Sequence, residues 1–418
     1  MFKSVHHLSY SDSDGGAARA TYRIHNALKA YGIDSTLIVN HKALDDYLVS
    51  GPKLSKSLLL TQARIGLLRP LKALSSSSSS GFSPSLIPSS LPFRLNKSSV
   101  DIVNLHWIQN EMLSILDIQK IIKPIVWTLH DMWAFCGAEH YATSSRWKTG
   151  YFYENRSSSD PGLDFNRFIW LLKKKLWRKP IHIICPSIWL AECVKNSALM
   201  SNWPVTVIPN TIDVSQWKSI DTKLAREILH LPQNTNIILF GAMNGCYDNR
   251  KGFDLLCQAL AILLSKDTSV NTTLVIFGQL RPKNPINFGF PVHYLGFVSD
   301  DVTLRLLYSA ADVLVIPSRI DNLPNAGLES HACGTPVVGF DVGGLSDIID
   351  HKVTGYLARP ADPESLADGI KWILSYPDKH SLRSNTRLRA KTLWSNEVVS
   401  KMYLDVYNKV IDLANNIS

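Results

Sequence analysis

Short β-rich runs alternate with helical stretches along all 418 residues, and this alternation constrains the fold more than any other feature. In chain order the runs are SVHHL, STLIV, DIVNLHW, PIVWTLH and IHIICPS in the first half, then NIILFG, TTLVIFG, DVLVIPS and TPVVGF in the second. Strands that alternate with helices in this way form parallel sheets covered by helices. The sequence therefore predicts an α/β protein built on doubly wound parallel sheets.

The strand–helix pattern starts twice, which predicts two domains. The chain opens with a strand, the glycine loop SYSDSDGGAARA and a helix. Apolar residues of that helix recur at helical spacing, at Ala20, Ile24, Ala27, Leu28 and Tyr31. A second strand of the same kind begins near Asn236, and the chain length agrees with two domains. We expect Rossmann-like domains at residues 1–210 and 211–390, with 391–418 as a C-terminal helix that packs back towards the first.

Charge and cysteine usage exclude several classes of protein. Residues 1–210 carry a net charge of +10 and residues 211–418 carry −1. A basic domain can serve nucleic acid, an anionic membrane or phosphorylated substrates, but no nucleic-acid-binding signature occurs, so we expect no such partner. The six cysteines form no pair or Cys/His cluster at zinc-ligand spacing, which predicts free thiols and no structural metal. No signal peptide or membrane span is visible, so we expect a cytoplasmic protein.

Two basic amphipathic segments interrupt the α/β pattern. Residues 53–74 carry five basic residues and no acidic one among many leucines. The serine tract that follows, Ser75–Ser80, is typical of a flexible connector. Residues 168–179, FIWLLKKKLWRK, place Trp170 and Trp177 beside five cationic side chains. Each segment is either an ordinary surface helix or a site that docks peripherally on an anionic membrane through its cations and apolar side chains.

The segment DNLPNAGLESHACGTPVVGFDVGG, Asp321–Gly344, follows the buried run DVLVIPS after only two residues. Open α/β sheets bind ligands at the carboxyl ends of their strands, and Asp321 stands at that exit. Pro324 suits a first helical turn, so the amides from Asn325 onward would present N–H groups to an anion. Glu329 falls about a turn and a half into this helix, where a carboxylate can accept hydrogen bonds from two neighbouring hydroxyls of a ribose.

This segment resembles the acidic pair of glycosyltransferase family 4, in which two acids eight residues apart precede a Gly-Thr-Pro strand and a Gly-Gly turn. The resemblance implies the GT-B fold, two Rossmann-like domains that face a deep cleft. It also implies that Asp321 contacts the donor sugar and that Glu329 contacts the nucleotide ribose. The diphosphate would lie on the backbone amides of Asn325, Ala326, Gly327 and Leu328. Asp321 replaces the usual Glu and is one methylene shorter, which leaves the choice of donor sugar open.

Further matches extend the resemblance through the second half of the chain. Arg250 and Lys251 precede a helix, and adjacent cations there would neutralise a departing diphosphate. Lys251 stands at the family's Lys-Gly position, whereas the family often keeps its Arg further upstream, where this chain has Ala242. By the same resemblance, Gly278 is a strand-end glycine and Phe297 lines the pocket of the nucleotide base.

The first half matches the family at its strand ends. Gly15 and Gly16 let a ligand approach the backbone closely, and Arg19 follows in the first helical turn; the resemblance places them at the diphosphate and the acceptor. His130 resembles the histidine that contacts the donor sugar, and Asp131 either orients its imidazole or caps the next segment. The Asp-Ser-Asp run at 12–14 precedes a glycine loop, so we interpret it as loop solvation or capping.

These residues together predict a metal-independent glycosyltransferase without a cofactor. It would move a sugar from a nucleoside diphosphate to a hydroxyl of a glycan or lipid-linked glycan acceptor. The resemblance implies retention at the anomeric carbon and is closest to bacterial enzymes of surface polysaccharide biosynthesis. Three alternatives remain: a sugar-nucleotide epimerase or hydrolase of the same fold, a non-catalytic sugar-nucleotide-binding subunit, and a nucleic-acid-binding protein.

Overall fold

The computed structural model describes residues 2–51, 63–64, 66–67, 81–158, 160, 162–241, 248–266 and 271–416. The chain divides into two compact units: unit 1 is Met1–Pro209 with Val399–Ser418, and unit 2 is Asn210–Val398. Most of the basic segment 53–74 lies outside the described residues, as do Ser75–Ser80, Ala242 and Cys246.

Unit 1 is built on a seven-stranded parallel sheet with the strand order β3-β2-β1-β4-β5-β6-β7. Its strands are β1 (Ser4–Ser11), β2 (Asp34–His41), β3 (Val49–Ser50), β4 (Ile102–Leu105), β5 (Ile125–Thr128), β6 (His182–Cys185) and β7 (Val205–Val207). The central strands β4 and β6 are buried at every position, as expected where helices cover both faces of a parallel sheet. The reversal of strand order beside β1 places the ends of β1 and β4 at a topological switch point, where such sheets bind ligands.

The helices of unit 1 present apolar faces to this sheet. They are α1 (Gly15–Ala30), α2 (Leu91–Lys97), α3 (Ile115–Lys120), α4 (Arg146–Thr149), α5 (Phe165–Leu176) and α6 (Ile188–Lys195), followed at the end of the chain by α14 (Asn396–Asn415). Ile24 and Leu28 of α1 join Val5 and Ile102 of the sheet in one core cluster. Of the residues whose spacing predicted α1, Ala20, Ile24, Ala27 and Leu28 are buried, whereas Tyr31 is the exposed C-cap residue.

The C-terminal helix α14 completes the core of unit 1. From residue 399 onward its side chains Val399, Tyr403 and Tyr407 are buried in the same cluster as Val5. The Asn104 amide donates to the Tyr407 hydroxyl at 2.7 Å, and the Thr128 hydroxyl lies 3.3 Å from that of Tyr403. The last helix of the chain thus supplies both apolar area and hydrogen bonds to strands synthesised some 300 residues earlier.

Unit 2 contains a six-stranded parallel sheet with the order β10-β9-β8-β11-β12-β13. Its strands are β8 (Asn236–Gly241), β9 (Thr272–Phe277), β10 (Val292–Tyr294), β11 (Val313–Ile316), β12 (Val337–Phe340) and β13 (Gly355–Ala358). Its helices are α7 (Thr222–Ile228), α8 (Phe253–Lys266), α9 (Asp301–Ala310), α10 (Asn325–Ala332), α11 (Leu345–Ile348), α12 (Pro363–Leu374) and α13 (Lys379–Trp394). Apolar clusters lie on both faces of this sheet. Both units therefore have the predicted doubly wound α/β architecture.

The structure of α5 differs from one expectation about the basic segment 168–179, that its tryptophans can contact a membrane. Trp170 and Trp177 are buried within unit 1, and the Trp177 indole donates to the Ile115 carbonyl at 2.9 Å. Lys173 is also buried, and its ammonium donates to the carbonyls of Cys136 and Gly137 at 3.1 and 2.7 Å. The expectation that these tryptophans are available to a membrane is wrong, because the apolar body of each ring fills the core of the unit.

Candidate functional site

Two loops of unit 2 bring opposite charges together at the carboxyl ends of neighbouring strands. Strands β8 and β11 pair in parallel, so the segments that follow them lie at the same edge of the sheet. The 3₁₀ turn Asn249–Lys251 follows β8, and Asp321 follows β11. The Lys251 ammonium lies 2.6 Å from Asp321 Oδ2, and the Arg250 guanidinium lies 3.8 Å from the same oxygen. The structure therefore places three of the predicted site residues in one cluster.

The backbone holds the cationic pair Arg250–Lys251 against the loop that follows β11. The amide of Arg319 donates to the Arg250 carbonyl at 2.8 Å. Gly252 has φ +66°, and a Cβ built on it would lie 1.9 Å from the carbonyl oxygen of Pro317. Only glycine permits this approach, which explains the Lys-Gly sequence at this position.

Asp321 is buried, and both of its carboxylate oxygens accept hydrogen bonds. Oδ1 accepts from the Asn322 amide at 3.1 Å, and Oδ2 accepts from Lys251 and, at 3.4 Å, from the Ser318 hydroxyl. Burial by itself would raise the pKa of this carboxyl, but the charges of Lys251 and Arg250 outweigh it and lower the pKa below its usual value. Asp321 is therefore ionised at neutral pH.

The Gly-Gly turn after β12 fixes the loop that carries Asp321. The amide of Gly344 donates to the Asp321 carbonyl at 3.0 Å. Gly343 has φ +59°, and a Cβ on it would lie 1.9 Å from that carbonyl oxygen. The two glycines of the Gly-Gly turn thus allow the backbone to approach the Asp321 carbonyl closely.

Helix α10 starts immediately beyond this loop. Pro324 is its N-cap residue, and no side chain caps the first turn, in which Asn325, Ala326 and Gly327 stand. The amide of Gly327 donates to the Pro324 carbonyl at 2.9 Å, and the N-terminal end of a helix as a whole presents N–H groups and positive potential to an anion. Gly327 is needed for packing, since a Cβ there would lie 2.9 Å from Ile348 Cδ1.

Glu329 lies in the second turn of α10 and is buried. The hydroxyl of Tyr308, on α9, donates to Glu329 Oε2 at 2.8 Å. Tyr308 is itself buried, so this bond fixes the orientation of the Glu329 carboxylate. The sequence does not indicate that Tyr308 is a site residue, because it stands at an apolar position of α9.

Two further predicted residues lie at the ends of β9 and β10. Gly278 follows β9 with φ +85°, and its amide donates to the Gly296 carbonyl at 2.7 Å. The neighbouring Phe297 has 60% of its surface exposed. A large aromatic side chain so exposed at the ligand-binding edge of a parallel sheet can stack on a planar ligand, the role that the resemblance implies.

The glycine loop of unit 1 follows β1 as predicted. Gly15 opens α1 with φ +84°, and no heavy atom lies within 4 Å of a Cβ built on it. Gly16 and Arg19 follow in the first turns of the helix. Asp12 is buried, and its carboxylate accepts from the amides of Ala43 and Leu44, both at 3.0 Å. Asp12 therefore caps the loop after β2, which agrees with a structural role for the Asp-Ser-Asp run.

His130 follows β5 and is the last member of a line of three histidines. His7 Nδ1 lies 2.9 Å from His106 Nε2, and His106 Nδ1 lies 3.1 Å from His130 Nε2. Burial lowers the pKa of His130 to about 4. The sequence marks neither His7 nor His106 as a partner of His130, because their spacing along the chain shows no relation to it.

Asp131 contacts other residues than the imidazole of His130. Its Oδ2 accepts from the Trp107 indole at 3.0 Å and lies 2.6 Å from His140 Nδ1, and its Oδ1 accepts from the Trp133 amide at 2.9 Å. Of the two roles expected for Asp131, these bonds favour capping of the segment that follows it. The neighbour that orients His130 is His106 instead.

The described residues contain no metal-binding cluster, disulfide bond or membrane-spanning helix. Within them, no group of three or more His, Cys, Asp or Glu side chains could hold a metal ion. The cysteines of that part of the chain, Cys136, Cys185, Cys193, Cys257 and Cys333, are free thiols. None of its helices is both long and apolar enough to cross a bilayer.

Comparison with protein families accounts for the arrangement of these residues. A family model described as glycosyltransferase family 4 matches residues 14–216, and one described as glycosyl transferases group 1 matches residues 234–376. The second match contains the cationic pair, Asp321 and Glu329. The chain belongs to glycosyltransferase family 4.

Relatives of this family 4 member match it over part of their length. An uncharacterised glycosyltransferase of Methanocaldococcus jannaschii is 33% identical over 172 residues, which cover 39% of this chain and 43% of the relative. A D-inositol 3-phosphate glycosyltransferase of Saccharomonospora viridis is 28% identical over 224 residues, which cover 49% of this chain and 50% of the relative. The chain thus spans about half the length of the curated relatives that it matches.

Solved structures extend the likeness to nearly the whole family 4 chain. A sucrose-phosphate synthase of Thermosynechococcus elongatus is 18% identical with a TM-score of 0.65, over 98% of this chain and 100% of that one. HepE of Anabaena, solved with UDP and glucose, is 17% identical with a TM-score of 0.64, over 97% and 100% of the two chains. At this identity the likeness concerns the fold, and the two parallel-sheet α/β units are those of GT-B.

Proposed function

We propose that this chain transfers a sugar from a nucleoside diphosphate to an acceptor hydroxyl. The proposal is carried by one observation: Arg250 and Lys251 meet Asp321 beside the first turn of α10, at the strand ends of unit 2. A diphosphate requires cations and N–H donors, whereas sugar hydroxyls require carboxylate acceptors. This edge of the sheet provides both kinds of group. The UDP and glucose bound to HepE support a UDP-linked donor.

The departing diphosphate would be stabilised by fixed positive charge. Arg250 and Lys251 supply two cations, and the N-terminal turn of α10, at Asn325–Leu328, supplies the positive end of the helix dipole. Groups already in place before the reaction stabilise developing charge without reorganising. Chemistry at this site therefore needs no metal ion to neutralise the leaving group, and we propose that activity persists in a chelator.

The two acids would hold the rest of the donor. Glu329 accepts from the hydroxyls of the ribose, and its bond from Tyr308 fixes the orientation of the carboxylate. Asp321 accepts from a hydroxyl of the sugar, which places the anomeric carbon for attack. The short Asp side chain is anchored by Lys251 and Asn322, so its reach is limited and it favours a sugar hydroxyl close to the loop.

We propose that the sugar is transferred with retention, on the face from which the diphosphate leaves. As the anomeric C–O bond to the phosphate breaks, the acceptor oxygen forms its bond on that face, and its proton passes to the leaving phosphate oxygen. No carboxylate nucleophile is then required. A glycosyl-enzyme intermediate trapped on Asp321 would contradict this step.

The acceptor that we propose is a glycan or lipid-linked glycan of surface polysaccharide biosynthesis, reached by a cytoplasmic enzyme at the inner face of the membrane. The outer side of α5 supports this. Lys174 and Lys175 are exposed there, together with Phe168 and Leu171. Cations beside exposed apolar groups favour an anionic lipid surface.

A thermal-shift panel of nucleoside diphosphates and their sugars tests the proposal most directly. A ligand at about 100 times its Kd stabilises the folded chain by about 2.7 kcal/mol, which raises Tm measurably. Lys251→Met should abolish the shift. Lys266→Met, at an exposed ion pair with Glu364 and Asp368, is the matched control. No shift with any nucleotide would contradict the proposal.

Turnover separates the remaining alternatives. The bound donor should release its nucleotide in the presence of an acceptor, with and without a chelator. Nucleotide release that needs no acceptor would indicate a hydrolase or epimerase, and binding without turnover would indicate a non-catalytic subunit. Activity lost in the chelator and restored by magnesium or manganese would contradict metal independence.

A further inference from the structure

Three histidines form a continuous hydrogen-bonded line that runs from the middle of β1 to the carboxyl edge of the unit 1 sheet. His7 lies in β1, His106 follows β4 and His130 follows β5, and these three strands are neighbours in the sheet. The ring contacts are 2.9 Å between His7 and His106 and 3.1 Å between His106 and His130. The backbone also fixes the middle member, since the His106 amide donates to the Leu8 carbonyl and its carbonyl accepts from the Trp127 indole.

All three imidazoles are neutral at physiological pH. Burial lowers the pKa of His7 and of His106 well below 6.5, and that of His130 to about 4. A neutral imidazole has one N–H donor and one acceptor nitrogen. Every contact in the line pairs a donor with an acceptor only if the N–H groups all point towards His130 or all point towards His7.

The inner end of the line distinguishes these two arrangements. His7 Nε2 is buried and has no hydrogen-bond partner among the described residues. The ring of His25 is 6.2 Å away, and its Nδ1 is bonded to the Ser35 hydroxyl at 2.7 Å. Protons that point inward would leave an N–H on His7 Nε2 without an acceptor, a rare and costly state for a buried donor. Protons that point outward leave only a lone pair there.

We propose that His7 and His106 are positioning residues that hold His130 as its Nδ1–H tautomer, a hydrogen-bond donor to a substrate oxygen. His7 Nδ1–H donates to His106 Nε2, and His106 Nδ1–H donates to His130 Nε2. His130 is then left with its proton on Nδ1. In water, neutral histidine favours the Nε2–H form, so the line imposes the less common tautomer. The substrate contact rests on the proposed glycosyl transfer, whereas the tautomer does not.

The tautomer can be read directly from the intact protein. Long-range ¹H–¹⁵N spectra of the ¹⁵N-histidine-labelled chain at neutral pH distinguish protonated from bare ring nitrogens, and His130→Gln assigns the signals by their loss. We expect a protonated Nδ1 and a bare Nε2 on His130. The opposite pattern would overturn the proposal even in an active enzyme, and the expected pattern in an inactive chain would contradict only the proposed transfer.

Variants test whether the line matters for catalysis. His106→Leu should lower kcat by about 10- to 100-fold at saturating donor, as expected for a displaced catalytic group. His106→Asn keeps an amide donor near the position of Nδ1 and should restore most of that loss. His182→Leu is the matched control, since His182 is a buried histidine of the same sheet that bonds to Thr206 outside the line. Equal losses in the Leu variants at 106 and 182 would overturn the positioning role.

Discussion

The carboxylate of Asp321 should weaken the binding of the bare nucleotide, although it contributes to sugar transfer. Its Oδ2 lies 2.6 Å from the ammonium of Lys251, so it neutralises a cation that must also bind the diphosphate. Asp321→Asn removes this charge, so that Lys251 no longer divides its interaction between the carboxylate and the phosphate, whereas Arg250 keeps its ion pair with Asp248 at 3.1 Å. We therefore expect UDP to bind the variant more tightly than the wild type, while turnover of the UDP-sugar falls.

The magnitude follows from the separation and the exposure of the charges. Two unit charges about 4 Å apart interact by about 1 kcal/mol in bulk water and about 4 kcal/mol at an effective dielectric constant of about 20. The side chain of Lys251 is 23% exposed, so the lower part of this range applies. The variant should gain about 1–2 kcal/mol in UDP binding, a decrease in Kd of about 5- to 30-fold.

Isothermal titration of UDP at constant salt measures this change. Asp254→Asn is the matched control, because it also removes one negative charge from unit 2, at an ion pair of 2.6 Å with Arg319 rather than with Lys251. Its UDP affinity should stay within about twofold of the wild type, since solvent screens surface charges. Weaker UDP binding by Asp321→Asn would refute the reasoning and show that the carboxylate chiefly holds Lys251 in place. Equal gains in both variants would assign the effect to net charge.

Four other variants have definite outcomes. Glu329→Ala should weaken nucleotide binding by about 2–4 kcal/mol through the loss of ribose contacts. Tyr308→Phe should weaken nucleotide binding by about 1 kcal/mol, and isothermal titration measures both changes. Replacing Lys174 and Lys175 by Gln should reduce co-sedimentation with anionic vesicles at low salt, and wild-type binding by that variant would remove α5 from the contact. Burial lowers the pKa of His331 to about 4 from 6.5, so the unfolded chain binds the proton first as the pH falls. His331 should thus contribute about 2 kcal/mol to the loss of unfolding free energy between pH 7 and pH 5, and urea titrations should find that loss smaller by this amount in His331→Gln.

The fold of each unit could be predicted because every strand and helix carries its own local signal. The run DVLVIPS became β11, buried at each position, and the apolar spacing after the glycine loop became the inner face of α1. The family resemblance also assigned Asp321 and the cationic pair to one site, and they lie together because β8 and β11 are adjacent parallel strands whose ends meet at one edge of the sheet.

Partners that depend on tertiary contact could not be predicted in this way. Lys173 looked like one of three equivalent surface lysines, but helical spacing turns it inward onto carbonyls while Lys174 and Lys175 face water. Tyr308 lies 21 residues from Glu329 in the sequence, and His106 lies 24 from His130. No local pattern connects such pairs, because packing between helices and strands brings them together.

The contribution of α14 to unit 1 affects the order in which the chain can fold during synthesis. The ribosome completes the strands of unit 1 early, but Tyr403 and Tyr407, which cover Val5 and bond to Thr128 and Asn104, are made last. At about 5–20 residues per second, the intervening unit 2 takes about 10–40 s to translate. Unit 2 can therefore reach its native state first, whereas the core of unit 1 stays incomplete until α14 has been synthesised. A chain cut before α14 would retain every strand of the first sheet and still leave part of that core open to water, a substrate for chaperones or proteases rather than a stable half-enzyme.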